Sequence, residues 1–226
     1  WSADASYVIL TPNEPKESMS FGEDVAIHEN TIAVGAPQAN GMQGCVYLYE
    51  KPASGWVPVD ETAILKVQIQ SESETDKWIY FGRSVDLSHN TAVVGTNMVG
   101  KCAYVFVKPE NGWAHAPEPV KLSSSLEGIH IGWRVNISGE TIAVSDDNNG
   151  GVHVFEKPEG GWKDSVETAR IEMPPQQGWP DFGWDSAISG DRILIGARYD
   201  NSAGFQAGSA FLYEKQGTHW GDNDVY

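Results

Sequence analysis

Phe21-Gly22-Glu23-Asp24-Val25-Ala26-Ile27, then Thr31-Ile32-Ala33-Val34-Gly35-Ala36-Pro37, is the stretch whose reading decides the fold. Val25 and Ile27 alternate with polar or small neighbours, as in a strand with one buried face. The second run is continuous and apolar, which suits a strand buried on both faces. Only a short link, Glu29-Asn30, separates them. Asn, Asp and Gly tolerate the positive φ of a tight hairpin, so the link reads as one. A third strand follows at Gly44-Cys45-Val46-Tyr47-Leu48-Tyr49-Glu50, ending in Lys51-Pro52 and a corner at Gly55-Trp56.

The same order returns three times. Unit two starts at Phe81-Gly82, unit three at Ile131-Gly132 and unit four at Phe182-Gly183. Their tight links are His89-Asn90, Gly139-Glu140 and Gly190-Asp191, and their corner tryptophans are Trp113, Trp162 and Trp220. Starts 60, 50 and 51 residues apart match a propeller blade of four short strands. The units span about 21–70, 81–125, 131–173 and 182–226 plus 1–12, in one domain covering 1–226. A fourth strand is expected eight or nine residues after each corner, at Ile64-Leu65, Lys121-Leu122 and Arg170-Ile171. Trp1 is followed at the same distance by Ile9-Leu10, so the N-terminal strand is expected to complete the last blade of a four-bladed all-β propeller. Alternatives are a slice of a longer array, or a ring shared by two copies. The start at Trp1, with no Met and no basic-then-apolar leader, reads as a processed or trimmed form.

The Phe-Gly … Val-Gly-Ala-Pro pattern of unit one resembles the FG-GAP repeat, the blade motif of the integrin α-chain propeller. Single copies are degenerate: Ile131 replaces Phe, Ser145 replaces Gly, Thr96-Asn97 replaces Ala-Pro and Arg198 replaces Pro. The resemblance implies a secreted, extracellular binding or adhesion module. It also implies calcium loops between the first two strands of a blade, since Ca²⁺ takes six to eight oxygen ligands. The tight links leave no room for such loops, so integrin-type calcium sites are expected to be absent, and no cofactor is expected. The nearest acidic loop, Asp146-Asp147-Asn148-Asn149-Gly150, reads as a weak cation candidate beside the plainer reading of a solvated turn.

Fifteen basic against 31 acidic residues give a net charge of −16. Such a surface repels phosphate backbones and anionic headgroups, which argues against nucleic acid. No apolar run reaches the roughly 18–20 residues of a membrane span, so membrane insertion is not expected. Cys45 and Cys102 fall at the same position of neighbouring units, where a disulfide, needing Cα atoms within about 7 Å, is not expected.

Trp56, Trp113, Trp162, Trp220 and Trp1 recur at the corners and read as scaffold. Trp78, Trp133, Trp179 and Trp184 do not. Trp133 and Trp184 follow the Phe-Gly-type pair directly, where the other units have Glu23 and Arg83; Trp78 and Trp179 lie in loops crossing between units. With Arg134 and Asp185 they form the candidate ligand site, at one end of the channel. They could stack on a sugar or an apolar side chain, or simply fill the space between blades. No Ser-His-Asp, Cys-His or phosphate-loop grouping appears, so no catalytic residue is assigned. Asn136-Ile137-Ser138 is a glycosylation sequon inside an expected strand. The expected function is non-enzymatic recognition of a protein or carbohydrate ligand by a monomer or small homo-oligomer. Alternatives are a lectin, a structural subunit, or a cofactor-dependent enzyme with its site on the channel axis.

Overall fold

The computed structural model describes residues 7–67, 78–97, 102–113, 118–146, 150–173 and 181–220. Four sheets, built of antiparallel strands apart from one short parallel pairing, follow one another along the chain, one per unit. Sheet one runs β1 (Val25–His28), β2 (Thr31–Ala36), β3 (Cys45–Glu50), β4 (Ala63–Leu65). Sheet two contains β5 (Val85–Ser88), β6 (Thr91–Gly95), β7 (Ala103–Val107) and β8 (Val120–Ser123). Sheet three contains β9 (Ile131–Ser138), β10 (Thr141–Asp146) and β11 (Gly151–Glu156), and β13 (Ala169–Glu172) is its outer strand. The two-residue strand β12 (Ser165–Val166) instead pairs in parallel with β8, tying unit three to sheet two. Sheet four has three strands, β14 (Phe182–Ser189), β15 (Arg192–Ala197) and β16 (Ser209–Glu214).

The outer strands of the first three sheets fall where the corner tryptophans place them. The N-terminal completion of the fourth does not form among the described residues. Ile9 is exposed, and Leu10 packs with Met19 against Val34 and Tyr47 of sheet one, because that sheet's outer half offers apolar surface beside the chain's own start. The tight links also differ in detail. Positive φ falls on the first link residue in all four units, at Glu29, His89, Gly139 and Gly190, and not on Asn30 or Asn90.

Neighbouring sheets pack face to face. Val46 and Leu48 of sheet one meet Val85 and Leu87 of sheet two in one cluster; Val93 and Val105 meet Val135 and Ile137 in the next; Val152 and Val154 meet Phe182, Ile193 and Ile195 in the third. Each fully buried Leu or Ile contributes about 1.5–3 kcal/mol. The backbones come close enough to require glycine. A Cβ on Gly35 would overlap the Gly82 carbonyl oxygen, and one on Gly95 the Gly132 carbonyl oxygen.

The inner strands β1, β5, β9 and β14 are each the edge strand of their sheet and lack a ladder partner on one side. Side chains supply it. Asp24 Oδ2 accepts from Val85 N–H (2.9 Å) and Asp86 Oδ2 from Ile137 N–H (2.8 Å). Ser84, Ser88 and Ser138 hydroxyls accept from Val135, Gly139 and Gly190 N–H (3.2, 3.1 and 3.0 Å). Each unit thus holds the backbone of the next. Asp86→Ala should cost about 1–3 kcal/mol by stranding the Ile137 amide, read as a lower urea midpoint at unchanged slope.

Candidate functional site

The residue after each Phe-Gly-type pair sits at the same end of its inner strand, so the four units set Glu23, Arg83, Trp133 and Trp184 side by side along the rim. Arg83 lies 3.5 Å from Glu23 and stacks over Trp133, its guanidinium carbon 4.4 Å from the ring centre. The Trp133 and Trp184 rings are 5.1 Å apart and tilted by 51°, and Trp133 Nε1–H donates to the Trp184 carbonyl (3.2 Å). Arg198, from the loop after β15, stacks over Trp184 at 3.3 Å, lies 4.6 Å from the Tyr199 ring and pairs with Asp181 (2.6 Å). The result is an alternating row of carboxylate, guanidinium, indole, indole and guanidinium. Trp184 keeps 37% of its surface exposed.

Below the rim is a cleft of about 280 Å³, lined by Asp24, Ser84, Asp86, Arg134, Asn136 and Asp185. Arg134 Nε lies 3.8 Å from Asp185 Oδ1. Asp24 and Asp86 are committed to the backbone bonds described above. Burial raises the Asp86 carboxyl above its usual range, partly offset by amide bonds from Ile137 and Leu87. Asn136 lies in β9 and its amide donates to Ser186 (2.9 Å), so the sequon sits inside a sheet-to-sheet contact.

The structure therefore brings Trp133, Trp184, Arg134 and Asp185 together. Trp78 lies in its crossing loop with 43% of its surface exposed, and Trp179 lies outside the described residues. Arg198 and Tyr199 belong to the rim but were not legible as such: nothing in the repeat marks a loop residue that folds back over an indole. Of the corner residues, Trp113 and Trp220 are fully buried, and Trp56 and Trp162 pack against core clusters.

The weak cation candidate resolves differently. Asp146 is buried and faces His153 Nε2 (3.4 Å) and Arg170 (3.9 Å), while Asp147 lies outside the described residues. On the other side of the imidazole, His153 Nδ1 is 3.3 Å from Glu167 Oε1. Glu167 also accepts from the amide and hydroxyl of Ser125, both at 2.8 Å. Burial disfavours the charged imidazole, but Asp146 and Glu167 outweigh it and hold the His153 pKa above its usual 6.5. Burial opposes the Glu167 charge likewise, and His153 with Ser125 outweighs it, bringing that carboxyl down to about 2. This is a buried ionic brace inside unit three, tied to unit two by the Ser125 hydrogen bonds. Cys45 and Cys102 are buried with no disulfide between them, and burial pushes both thiols up, away from the thiolate.

Comparison with known proteins agrees with this architecture. The FG-GAP repeat model matches residues 6–49 and 180–213. No curated protein matches the chain. Among solved structures, the β-propeller domain of Cps50 (Swd1) from Myceliophteria thermophila superposes with a TM-score of 0.54 at 13% identity, covering 91% of this chain and 58% of that one. Sqt1 from Chaetomium thermophilum gives 0.51 at 16% identity, covering 87% of this chain and 44% of that one. The chain spans about half the length of the solved structures it matches. The chain is thus similar to the FG-GAP repeat over its first and last units, on an all-β framework with the fold of β-propellers.

Proposed function

We propose that this protein is an extracellular, non-enzymatic recognition module that binds a protein ligand at the rim built from Arg83, Trp133, Trp184, Arg198 and Tyr199. The observation that carries this reading is the stacked row itself. Trp, Tyr and Arg are the side chains that dominate protein–protein binding energy when clustered, and here they are held rigid by one another before any ligand arrives. Rim carboxylates partly balance the guanidiniums, so the row offers hydrogen-bonding edges and apolar rings more than bare charge. The stacking guanidiniums each lie over an indole, which disfavours the lectin reading, because a sugar stacks on an open ring face. The extracellular assignment rests on the FG-GAP resemblance, and no calcium is assigned to the two-residue links.

The test is selection of peptide and protein-domain ligands against the wild-type chain, with a glycan array in parallel. Trp184→Ala and Arg198→Ala are expected to weaken a selected protein ligand at least about tenfold, with little change in melting temperature, because both side chains lie at the surface. Selected ligands that ignore both substitutions, or strong glycan hits lost with Trp184, would overturn the protein-ligand reading.

A further inference from the structure

At the link end of the inner strands, away from the rim, the three internal joints do not share one design. In two of them a serine closes the joint. The Ser88 hydroxyl accepts from Gly139 N–H (3.1 Å) and the Ser138 hydroxyl from Gly190 N–H (3.0 Å). Serine holds the same place in unit four, at Ser189. Unit one has His28 there, and across the joint stands His89, the first link residue of unit two. The two imidazole rings lie in contact, 5.0 Å between centres and tilted by 50°. Histidine thus occupies both sides of one joint and neither side of the other two.

The charged groups around the pair balance it poorly. His28 Nε2 is buried without a hydrogen-bond partner among the described residues. Glu29 Oε1 lies 4.0 Å from it, on a side chain that is 73% exposed, so water screens that attraction. Asp86, in the middle of β5, also draws charge onto His28. Burial holds that carboxyl toward its neutral form, and its oxygens already accept the Leu87 and Ile137 amides. Strands β2 and β6, which flank β1 and β5, carry no charged side chain. Strand β9 brings Arg134, which sits beside Asp185 in the cleft, and Glu140 of the next link pairs with Lys157. On the second ring, His89 Nδ1 is 3.1 Å from Ser88 Oγ, the oxygen that holds the Gly139 amide.

We infer that the His28–His89 contact makes the joint between units one and two acid-sensitive. Neutral imidazoles pack there as tilted aromatic faces. Imidazole is the side chain that gains its charge between about pH 8 and 5. Once both rings are charged, two like charges meet at contact distance, and a screened Glu29 with a buried Asp86 offsets little of the repulsion. The joint is then pushed apart at its link end, while the Glu23–Arg83 pair still spans it at the rim. The joints closed by Ser88 and Ser138 have no titrating side chain at this place and keep their hold.

The experiment is urea unfolding of the wild type, His28→Ser, His89→Asn and the double variant, at about pH 7.5 and about pH 5.5, on either side of the imidazole titration. Serine is what the other units carry at the first position, and asparagine tolerates the φ of 52° found at His89, so the variants should fold. On acidification the folded-to-unfolded ratio of the wild type should fall about three- to tenfold further than that of either single variant. The double variant should behave like the singles, because removing one ring already removes the contact. His153 is present in all four chains and cancels in the comparison. In 1 M salt, where the screening length is about 3 Å, the difference should shrink. An equal or opposite pH response in wild type and His28→Ser, single effects that add in the double variant, or a difference that high salt leaves unchanged would each overturn the inference. None of these readouts depends on the ligand proposed for the rim.

Discussion

His153→Phe is expected to destabilise the protein by about 3–5 kcal/mol, although phenylalanine is close to the aromatic residues that other units carry at this strand position. The substitution leaves Glu167 buried opposite a hydrocarbon ring and takes the imidazole away from Asp146, and breaking a buried pair from one side costs that much. Chemical denaturation at pH 6 would measure it. The pH dependence supplies a second check. The folded-state pKa of His153 is raised, so its stabilising contribution is complete below the unfolded value of about 6.5 and fades as pH rises through the folded value. Glu167 is lowered to about 2, so its contribution is complete above about 4.5 and fades as pH falls toward 2. The brace therefore stabilises most between about pH 4.5 and 6.5. In His153→Phe the decline above pH 6.5 should flatten. An unchanged profile would show that the imidazole carries no charge in the folded protein.

Gly35→Ala should be at least as damaging, at about 3–5 kcal/mol or loss of folding, because the added carbon collides with the Gly82 carbonyl and cannot be accommodated by turning a side chain. Sheets one and two would have to separate, opening the cluster that contains Val46, Leu48, Val85 and Leu87. Gly196→Ala is the matched control. The added carbon meets nothing closer than 3.6 Å, so it should be neutral or stabilise by about 0.5–1 kcal/mol through the unfolded state. Thermal melts of the two variants would separate a space requirement from a general preference for glycine.

The repeat made most of the fold legible. Strands β1 to β3, β5 to β7, β9 to β11 and β14 to β16 follow from one alternating and two apolar runs per unit. The outer strands β4, β8 and β13 follow from their distance to Trp56, Trp113 and Trp162. The N-terminal segment was the exception: Ile9-Leu10 has the spacing of an outer strand, yet Leu10 finds apolar surface on sheet one, and spacing says nothing about which sheet a segment reaches. At the candidate site, the rim positions of Trp133 and Trp184 were readable because they occupy one repeat position. Their cation partners were not, since Arg198 arrives from a loop whose path depends on packing. The brace was hidden for a similar reason. Asp146, His153 and Glu167 are separated by seven and 14 residues and converge only because β10 and β11 pair and the segment before β13 folds back across them.

The side-chain clamps between neighbouring inner strands have a kinetic consequence. The amides of Val85, Ile137, Gly139 and Gly190 bond to the preceding unit and not within their own sheet. Their protons can exchange with solvent only when adjacent sheets part, whereas amides inside a ladder wait for the sheet itself to open. These four protons are therefore built-in reporters of blade separation, and their exchange rates would rank the three internal joints by strength, one joint at a time.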